Sequence, residues 1–171
     1  MPFLNSLNNS DQVAFTAALG HLFEHSPWVA EQTWVKRPFA DASALHAALC
    51  VTMRAAPREQ QLALIRAHPD LAGRLAQQKK LTAESTREQA SAGLDQLTDG
   101  ELAAFTRQND TYKAKFGFPF IICARLNAKA AIITAMSTRV DNLAEAEFAT
   151  ALGEIEKIAW LRLQDVLKDQ G

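Results

Sequence analysis

The chain has 171 residues, and its 18 basic and 19 acidic side chains leave a formal net charge of −1. Apolar residues make up 48 % of it, which is enough to bury a core and excludes intrinsic disorder. No basic stripe is present to neutralise phosphates, which excludes nucleic acid as a partner. The 31 Ala and 20 Leu far outnumber the 7 Gly and 6 Pro. Because Ala and Leu lose little side-chain freedom in a helix, the composition favours an all-α fold.

Capping residues and apolar spacing predict successive helices in the first part of the chain. Ser10 and Asp11 are candidate N-caps for a helix over Gln12–Leu19. Asp41 or Ser43 is the candidate cap of a second helix, in which leucines recur at helical spacing. Pro57 opens a further helix, because proline is tolerated at the first helical position.

The middle of the chain contains one segment that interrupts the helical pattern. Thr98 and Glu101 have the spacing of a capping box, and Gly117 is a natural stop for the helix that they open. Residues 118–123 (FPFIIC) follow and have the composition of a strand. Pro119 argues against a regular strand, because proline has no N–H to donate to a sheet. We therefore expect an irregular apolar connection here.

Two more helices complete the predicted order. One begins at Asn127, and the last covers about residues 144–167. The sequence shows no internal repeat, low-complexity tract or linker. We therefore predict one compact all-α domain over residues 1–171, with about seven to nine helices.

Cysteine usage and the absence of sorting signals bear on the compartment. Cys50 and Cys123 form neither a metal-binding spacing nor a disulfide framework, which predicts a reducing environment. The first ten residues lack the charged and apolar regions of a secretory signal, and the last residues do not form a peroxisomal tail. No run approaches about 18 apolar residues, so we expect no membrane association. A cytoplasmic protein is the expectation.

The first candidate site is the stretch HPDLAG, which begins at His68. Pro69 disfavours a helical backbone at the residue before it, so this imidazole is expected at the exit of a helix. Backbone stiffness would then position a group that exchanges protons near neutral pH. The alternative is a surface histidine at a corner between helices, with Asp70 as a capping residue.

The second candidate is the stretch STREQ, which begins at Ser85. Ser85 and Glu88 have capping-box spacing, which predicts a helix N-terminus. Such a terminus presents unpaired N–H groups that suit an anionic or carbonyl-rich ligand, and Glu88 and Gln89 would aim a carboxylate and an amide there. The alternative is a plain capping box in which Glu88 only accepts from the Ser85 N–H.

The third candidate is the run GFPFIICAR over residues 117–125. An irregular apolar segment followed by a charged residue can line a dry pocket with its own N–H and C=O groups. The alternative is an extended connector in the core, with Arg125 paired to a helix end.

A fourth pattern, HLFEH, suggests a different chemistry. His21, Glu24 and His25 match the H-x-x-E-H pattern of inverted zinc peptidases. Two histidines four residues apart share a helical face, but Gly20 and Ser26 flank the motif and argue against a helix long enough to use it. We therefore predict no metal site.

Together the first three candidates resemble a known family. HPDLAG, the serine–glutamate–glutamine spacing and FGFPFIICAR, in this order and spacing, are similar to the decarboxylases of 2-oxo-4-hydroxy-4-carboxy-5-ureidoimidazoline (OHCU). The resemblance spans nearly the whole chain. It implies an all-helical, commonly dimeric enzyme that needs no cofactor, takes OHCU as a small-molecule substrate, and performs the last step from urate to (S)-allantoin.

The resemblance also implies which residues act. The family's catalytic positions correspond to His68 and Glu88. A substrate-binding arginine of the family lies in the last helix, where Arg162 is the best match. Arg139, which precedes that helix, is a weaker candidate. The remaining implied substrate-binding positions are Pro69, Ser85, Thr86, Arg87, Gln89, Phe120, Ile121, Ile122, Cys123 and Ala124. A zinc hydrolase built on the HLFEH pattern is the alternative enzyme. A helical interaction module is the alternative from another class; it predicts an exposed apolar stripe and no dependence on His68.

Overall fold

The structure is a computed structural model that describes residues 2–169. The α-helices, in chain order, are α1 (Pro2–Asn9), α2 (Gln12–Leu19), α3 (Trp28–Thr33), α4 (Ala42–Ala55), α5 (Arg58–Ala67), α6 (Arg74–Gln77), α7 (Ala83–Ser91), α8 (Asp99–Phe116), α9 (Lys129–Arg139) and α10 (Ala144–Asp169). Short 3₁₀ turns cover Gly20–Leu22, Trp34–Lys36 and Ala124–Leu126. Residues 2–169 contain no strand, and the all-α prediction is confirmed. Met1, Gln170 and Gly171, which belong to the predicted domain, lie outside the described residues.

The predicted caps account for several of these boundaries. Asp11 begins α2, where its carboxylate accepts from the Ala14 N–H at 2.8 Å. Asp41 begins α4 in the same way. Thr98 and Glu101 form the predicted reciprocal capping box at the start of α8. Each cap satisfies N–H groups that the first turn of a helix leaves without partners.

One helix begins later than the sequence predicts. The expected start at Asn127 is wrong, because α9 begins at Lys129. Asn127 instead has an extended backbone, and its side-chain Nδ2 donates to the Cys123 carbonyl at 3.0 Å. An asparagine side chain that binds nearby backbone competes with helix formation, which explains the two-residue difference.

Contacts group the chain into two compact units. The first contains the residues up to Ala67 together with those from Glu156 onward, and the second is His68–Ile155. The prediction of one domain over residues 1–171 stays a prediction. None of the described helices is long and apolar enough to cross a membrane.

The first unit has a core formed mainly by α2, α3 and α4. Phe15, Leu19, Leu45 and Leu49 are fully buried there. Their burial removes apolar surface from water at roughly 25 cal/mol per Å². These helices are therefore stabilised chiefly by packing, since α2 and α3 are too short to be stable alone.

The second unit is organised around α8. Phe105 and Tyr112 of α8 and Ile132 of α9 are buried in its core. At Gly117 the backbone adopts φ 75°, a left-handed conformation that ends α8 without the steric cost of a Cβ. The chain then continues as the predicted irregular connection over residues 118–123, here called the apolar segment.

Candidate active site

The loop after α5 places His68 inside the protein. Its exposed fraction is 8 %, which excludes the alternative of a surface histidine. Two side chains of α8 hold the residues that follow it. Asn109 Nδ2 donates to the Leu71 carbonyl at 2.9 Å, and Lys113 Nζ lies 2.5 Å from the Asp70 carboxylate. The loop that follows His68 is therefore held against α8.

Helix α7 begins three residues before the predicted capping box. Its N-cap is Thr82, whose Oγ1 accepts from the Ser85 N–H at 3.2 Å. The prediction that Ser85 caps this helix is therefore wrong. The prediction that the N–H groups after Ser85 have no partner and could bind a ligand is wrong as well. The Thr86 N–H already donates to the Thr82 carbonyl at 2.9 Å. Threonine caps helices much as serine does, and the earlier start lets Ser85 be buried.

The new boundary gives the motif on α7 a different meaning. Ser85, Glu88 and Gln89 are spaced i, i+3 and i+4, so they lie on one face of the helix. Ser85 and Gln89 are buried and Glu88 is half-buried, whereas Thr86 and Arg87 are exposed. The motif therefore presents side chains from one helical face rather than backbone N–H groups from a helix end.

The side chain of Gln89 ties α7 to the loop after His68. Its Oε1 accepts from the Ala72 N–H at 2.9 Å, and its Nε2 donates to the Asp70 carbonyl at 3.4 Å. Gln89 thus holds backbone on the loop, and its predicted contact with substrate stays a prediction.

The exposed residues of α7 have local partners. Thr86 Oγ1 donates to the Thr82 carbonyl at 2.9 Å, and Arg87 lies 3.8 Å from the Glu84 carboxylate. Thr86 and Gln89 also line a cavity of about 530 Å³ whose other walls are mostly alanine and leucine side chains. Neither predicted catalytic side chain lines this cavity.

The apolar segment is buried and held by hydrogen bonds to its backbone. Phe120, Ile121 and Cys123 are each at most 3 % exposed. The Cys123 N–H donates to Glu154 Oε2 at 2.8 Å, and the Ile121 carbonyl accepts from Arg139 Nη1 at 2.8 Å. Both partners are charged side chains, and hydrogen bonds to charged groups are stronger than neutral ones.

Other peptide groups of this stretch remain available. Within the part of the chain that the structure describes, the N–H groups of Phe120, Ile122 and Ala124 donate no hydrogen bond. All three residues are buried. A buried donor without a partner is costly, which makes these groups candidates for binding a carbonyl-rich ligand.

Helix α7 and the apolar segment meet at Cys123. Helix α7 packs against the Ala124–Leu126 turn. Burial raises the pKa of the Cys123 thiol, and the negative charges of Glu154 and Glu88 raise it further. Helix α7, which carries Glu88, therefore lies beside the end of the apolar segment, so the second and third candidates are neighbours.

Arg162 belongs to the first unit and is 4 % exposed. Its Nη2 donates to Glu24 Oε2 at 2.9 Å, and its Nη1 donates to the His21 carbonyl at 3.2 Å. A buried carboxylate thus compensates its charge and fixes its guanidinium.

This pairing also bears on the possible zinc motif. Glu24 forms an ion pair with Arg162, and the chain at Gly20–Leu22 is a single 3₁₀ turn rather than a helix. His25 has φ 46°, a turn conformation. The two histidines therefore do not share a helical face. No group of three or more metal-ligating side chains occurs among the described residues.

Two residues that shape the site, Glu147 and Glu154, were missed in the sequence, and Arg139 was considered there only as a substrate contact. Arg139, Glu147 and Glu154 hold or support the apolar segment, although none stands in its motif. One signal was available: Glu147 and Glu154 interrupt the apolar face of α10 next to Phe148 and Ile155. A carboxylate on a buried face requires a partner, so both positions predict a buried ion pair or hydrogen bond.

The helical fold and these motifs define a class of protein, which comparison with known sequences identifies. A family model described as OHCU decarboxylase matches residues 8–164. The chain belongs to the OHCU decarboxylase family. It is 43 % identical to the 2-oxo-4-hydroxy-4-carboxy-5-ureidoimidazoline decarboxylase of Halalkalicoccus jeotgali, covering 95 % of this chain and 90 % of that protein. It is 40 % identical to the enzyme of that name from Mus musculus, covering 94 % and 90 %.

Solved structures show the same fold. A crystal structure of (S)-allantoin synthase matches with a TM-score of 0.75 and 30 % identity over 95 % of this chain. The match covers 53 % of that chain, so this protein spans about half its length. A crystal structure of OHCU decarboxylase in the presence of (S)-allantoin matches with a TM-score of 0.69 and 23 % identity, covering 93 % of this chain and 99 % of that one.

Proposed function

We propose that this protein decarboxylates OHCU to (S)-allantoin and CO₂ without a cofactor, as the last step from urate to allantoin. Family membership supports the reaction. One structural observation carries the assignment to a site. The half-buried Glu88 lies on α7, which packs against the turn that ends a buried apolar segment whose peptide N–H groups are in part unused. Gln89 ties the same helix to the loop that begins at His68.

The substrate explains why such a site suffices. C4 of OHCU bears a carboxylate and a hydroxyl, and the neighbouring C5 is doubly bonded to a ring nitrogen. When the bond to the carboxylate breaks, CO₂ leaves and the electron pair moves into the C=N group, whose ring nitrogen takes up a proton. The resulting enol-like ring becomes the C4 carbonyl compound by losing the hydroxyl proton and gaining a proton at C5. The protein then supplies orientation, proton transfer and stereochemistry.

We assign proton transfer to His68. An imidazole has an unperturbed pKa of about 6.5, so it accepts and donates protons near neutral pH. His68 would take the C4 hydroxyl proton or deliver one to C5. Glu88 would orient or polarise the imidazole. Burial of His68 restricts water, which favours protonation from a defined face of the ring.

Binding is assigned to groups that match the substrate's carbonyls and carboxylate. The N–H groups of Phe120, Ile122 and Ala124 would donate to the ureido and ring carbonyl oxygens. Arg162 would bind the carboxylate or a carbonyl. Orientation is favoured over a tight ion pair, because strong pairing to the departing carboxylate would stabilise the ground state. The predicted contacts of Pro69, Ser85, Thr86, Arg87, Gln89, Ile121 and Cys123 complete this proposal.

Assembly and location follow from the family resemblance. We propose a homodimer that acts in the cytoplasm. Sedimentation equilibrium of the purified protein tests the dimer: twice the chain mass of 18.8 kDa is expected, and a monomer at micromolar concentration would contradict it.

The reaction is tested with OHCU generated freshly from urate by the two preceding enzymes. Circular dichroism follows (S)-allantoin with wild type, His68→Ala, His25→Asn and no protein. Wild type should accelerate the signal, and His68→Ala should lose about 10²–10⁴-fold in rate. His25→Asn is the matched control, because His25 is 68 % exposed and asparagine tolerates its backbone conformation.

Each result tests one assignment. A wild type that matches the blank would reject the reaction and favour the helical interaction module. An active His68→Ala with an unchanged rate would reject the assignment of proton transfer. Loss of activity in His25→Asn would revive the zinc motif instead.

A further inference from the structure

Arg139, the last residue of α9, contacts both the apolar segment and α10. The Nη1 of Arg139 donates to the Ile121 carbonyl at 2.8 Å. Its guanidinium carbon lies 4.2 Å from the centroid of the Phe120 ring, within the range of a cation–π contact. Its Nη2 donates to Glu147 Oε2 at 2.9 Å, and Nε approaches both oxygens of this carboxylate.

The carboxylate of Glu147 is itself fully buried and held from three directions. Besides Arg139, it accepts from the hydroxyl of Tyr112 and from Nδ2 of Asn142, the latter at 2.8 Å. Tyr112 also packs edge-on against Phe120, with ring centroids 5.2 Å apart. Two of the residues that hold this carboxylate, Arg139 and Tyr112, thus contact the apolar segment as well.

We propose that Arg139 is a positioning residue that sets the backbone of the apolar segment for substrate binding. This inference rests on the proposed function, which gives the peptide N–H groups of that segment their role. Arg139 does not itself contact the substrate in this proposal. It acts through the Ile121 carbonyl and the Phe120 ring.

The segment needs such support because of its backbone. It is neither helix nor strand, so no regular hydrogen-bond ladder fixes its peptide planes. The Ile121 carbonyl belongs to the same peptide unit as the Ile122 N–H, which is a proposed substrate donor. Holding that carbonyl therefore fixes the direction in which the Ile122 N–H points.

Only arginine can make this set of contacts at once. Its planar guanidinium presents donors in a fixed fork and stacks on an aromatic ring, whereas the lysine ammonium is a point charge. All three guanidinium nitrogens donate to protein groups, which argues for positioning rather than direct substrate binding. The proposed role of Arg139 thus differs from the substrate contact for which the sequence made it a candidate.

Electrostatics supports a persistent ion pair. Burial opposes the ionisation of Glu147, but hydrogen bonds from Arg139, Tyr112 and Asn142 outweigh it and hold the pKa of its carboxyl below the ordinary value. The carboxylate is therefore charged at neutral pH, where it orients the guanidinium. Substitutions that remove the positive charge would leave this buried anion unpaired and endanger folding.

The test compares Arg139→Lys, which keeps the charge, with Arg107→Lys as a matched control. Arg107 is exposed on α8, and it has no polar partner among the described residues. In Arg139→Lys the KM for OHCU should rise about tenfold while kcat changes little, because the lost contacts serve binding rather than chemistry. Arg107→Lys should stay within about twofold of wild type.

A second measurement does not depend on turnover. Hydrogen exchange followed by mass spectrometry should show faster exchange in peptides covering residues 118–124 of Arg139→Lys. Peptides of α4, in the first unit, should be unchanged. If Arg139→Lys does not fold, Tyr112→Phe removes one hydrogen bond to Glu147 and should produce the same two effects at about two- to threefold.

The outcomes separate this inference from the proposed function. An inactive wild type rejects the proposed function, while exchange still reports whether Arg139 holds the segment. An active wild type, with KM and exchange unchanged in a folded Arg139→Lys, overturns the positioning role. Faster exchange with an unchanged KM also overturns it, because the segment would then be held without serving substrate binding.

Discussion

Two regions of the candidate site differ in which groups are the proposed reagents and in which groups hold them in place. In the loop 68–73 with α7, here called the side-chain region, the proposed reagents are the side chains of His68 and Glu88, and Gln89 holds the backbone behind them. In the apolar segment the proposed reagents are peptide groups, and the charged side chains of Arg139 and Glu154 hold them.

The difference determines what mutation can show. A side chain in the side-chain region can be replaced to remove its chemistry directly. A peptide group cannot be removed by replacing the residue that carries it, since every residue supplies the same N–H except proline. The role of the apolar segment can therefore be tested by replacing the side chains that hold its backbone. We expect substitutions in the side-chain region to lower kcat, and those at the supports to raise KM.

The largest effect expected within this comparison comes from Glu88→Gln. Glutamine keeps the size of the side chain but removes the charge that would orient and polarise His68. We expect kcat to fall about 10²-fold or more, with KM changed little. Steady-state kinetics with fresh OHCU measures both constants.

Glu59→Gln provides the control for this loss of charge, because Glu59 is exposed on α5. The assignment of Glu88 would fail if Glu88→Gln retained the turnover of wild type. A rise in KM alone would move Glu88 from the chemistry to substrate binding.

The sequence predicts most of the fold because its local signals are strong. Alanine and leucine content, together with Asp11, Asp41 and the Thr98 capping box, indicates helices whose starts the structure confirms. The start of α7 was missed because Thr82 and Ser85 are both good caps. Only tertiary packing, which buries Ser85, decides between them.

The site was predictable in its motifs but not in its supports. Pro69 and Gly117 break the helical pattern, which drew attention to His68 and to the apolar segment. The contact between Arg139 and Ile121 joins residues 18 positions apart in different elements. No local pattern encodes such a pairing, so the sequence offered Arg139 only as the weaker candidate for a substrate arginine and gave no sign of its contact with Ile121.

A smaller effect is expected from Glu154→Gln. Glu154 accepts from the Cys123 N–H at 2.8 Å, and a hydrogen bond to a charged acceptor contributes about 1.5–3 kcal/mol. Glutamine retains a neutral acceptor, so about 1 kcal/mol of unfolding free energy should be lost. We expect KM to rise about threefold to fivefold with kcat unchanged.

Urea unfolding measures the stability of Glu154→Gln, and steady-state kinetics measures the two constants. Glu59→Gln again serves as the control. A fall in kcat without a change in KM would break the comparison, because Glu154 would then act on the chemistry rather than on the segment.

The smallest effect is expected from Cys123→Ala, which tests whether the side chain at this position has any chemical role. Burial raises the pKa of the Cys123 thiol, so little thiolate forms at neutral pH and the sulfur is a poor reagent. Alanine keeps the peptide N–H that Glu154 binds. We expect kcat and KM within about twofold of wild type, with a stability loss of about 1 kcal/mol from the lost packing.

Cys50→Ala is the matched control in the first unit, where burial raises the pKa of the thiol to about 12. Both thiols should react slowly with iodoacetamide in the native protein and rapidly in urea, because alkylation requires an accessible thiolate. A tenfold loss of activity in Cys123→Ala alone would show that the segment contributes a side chain as well as its backbone. The two regions would then differ in degree rather than in kind.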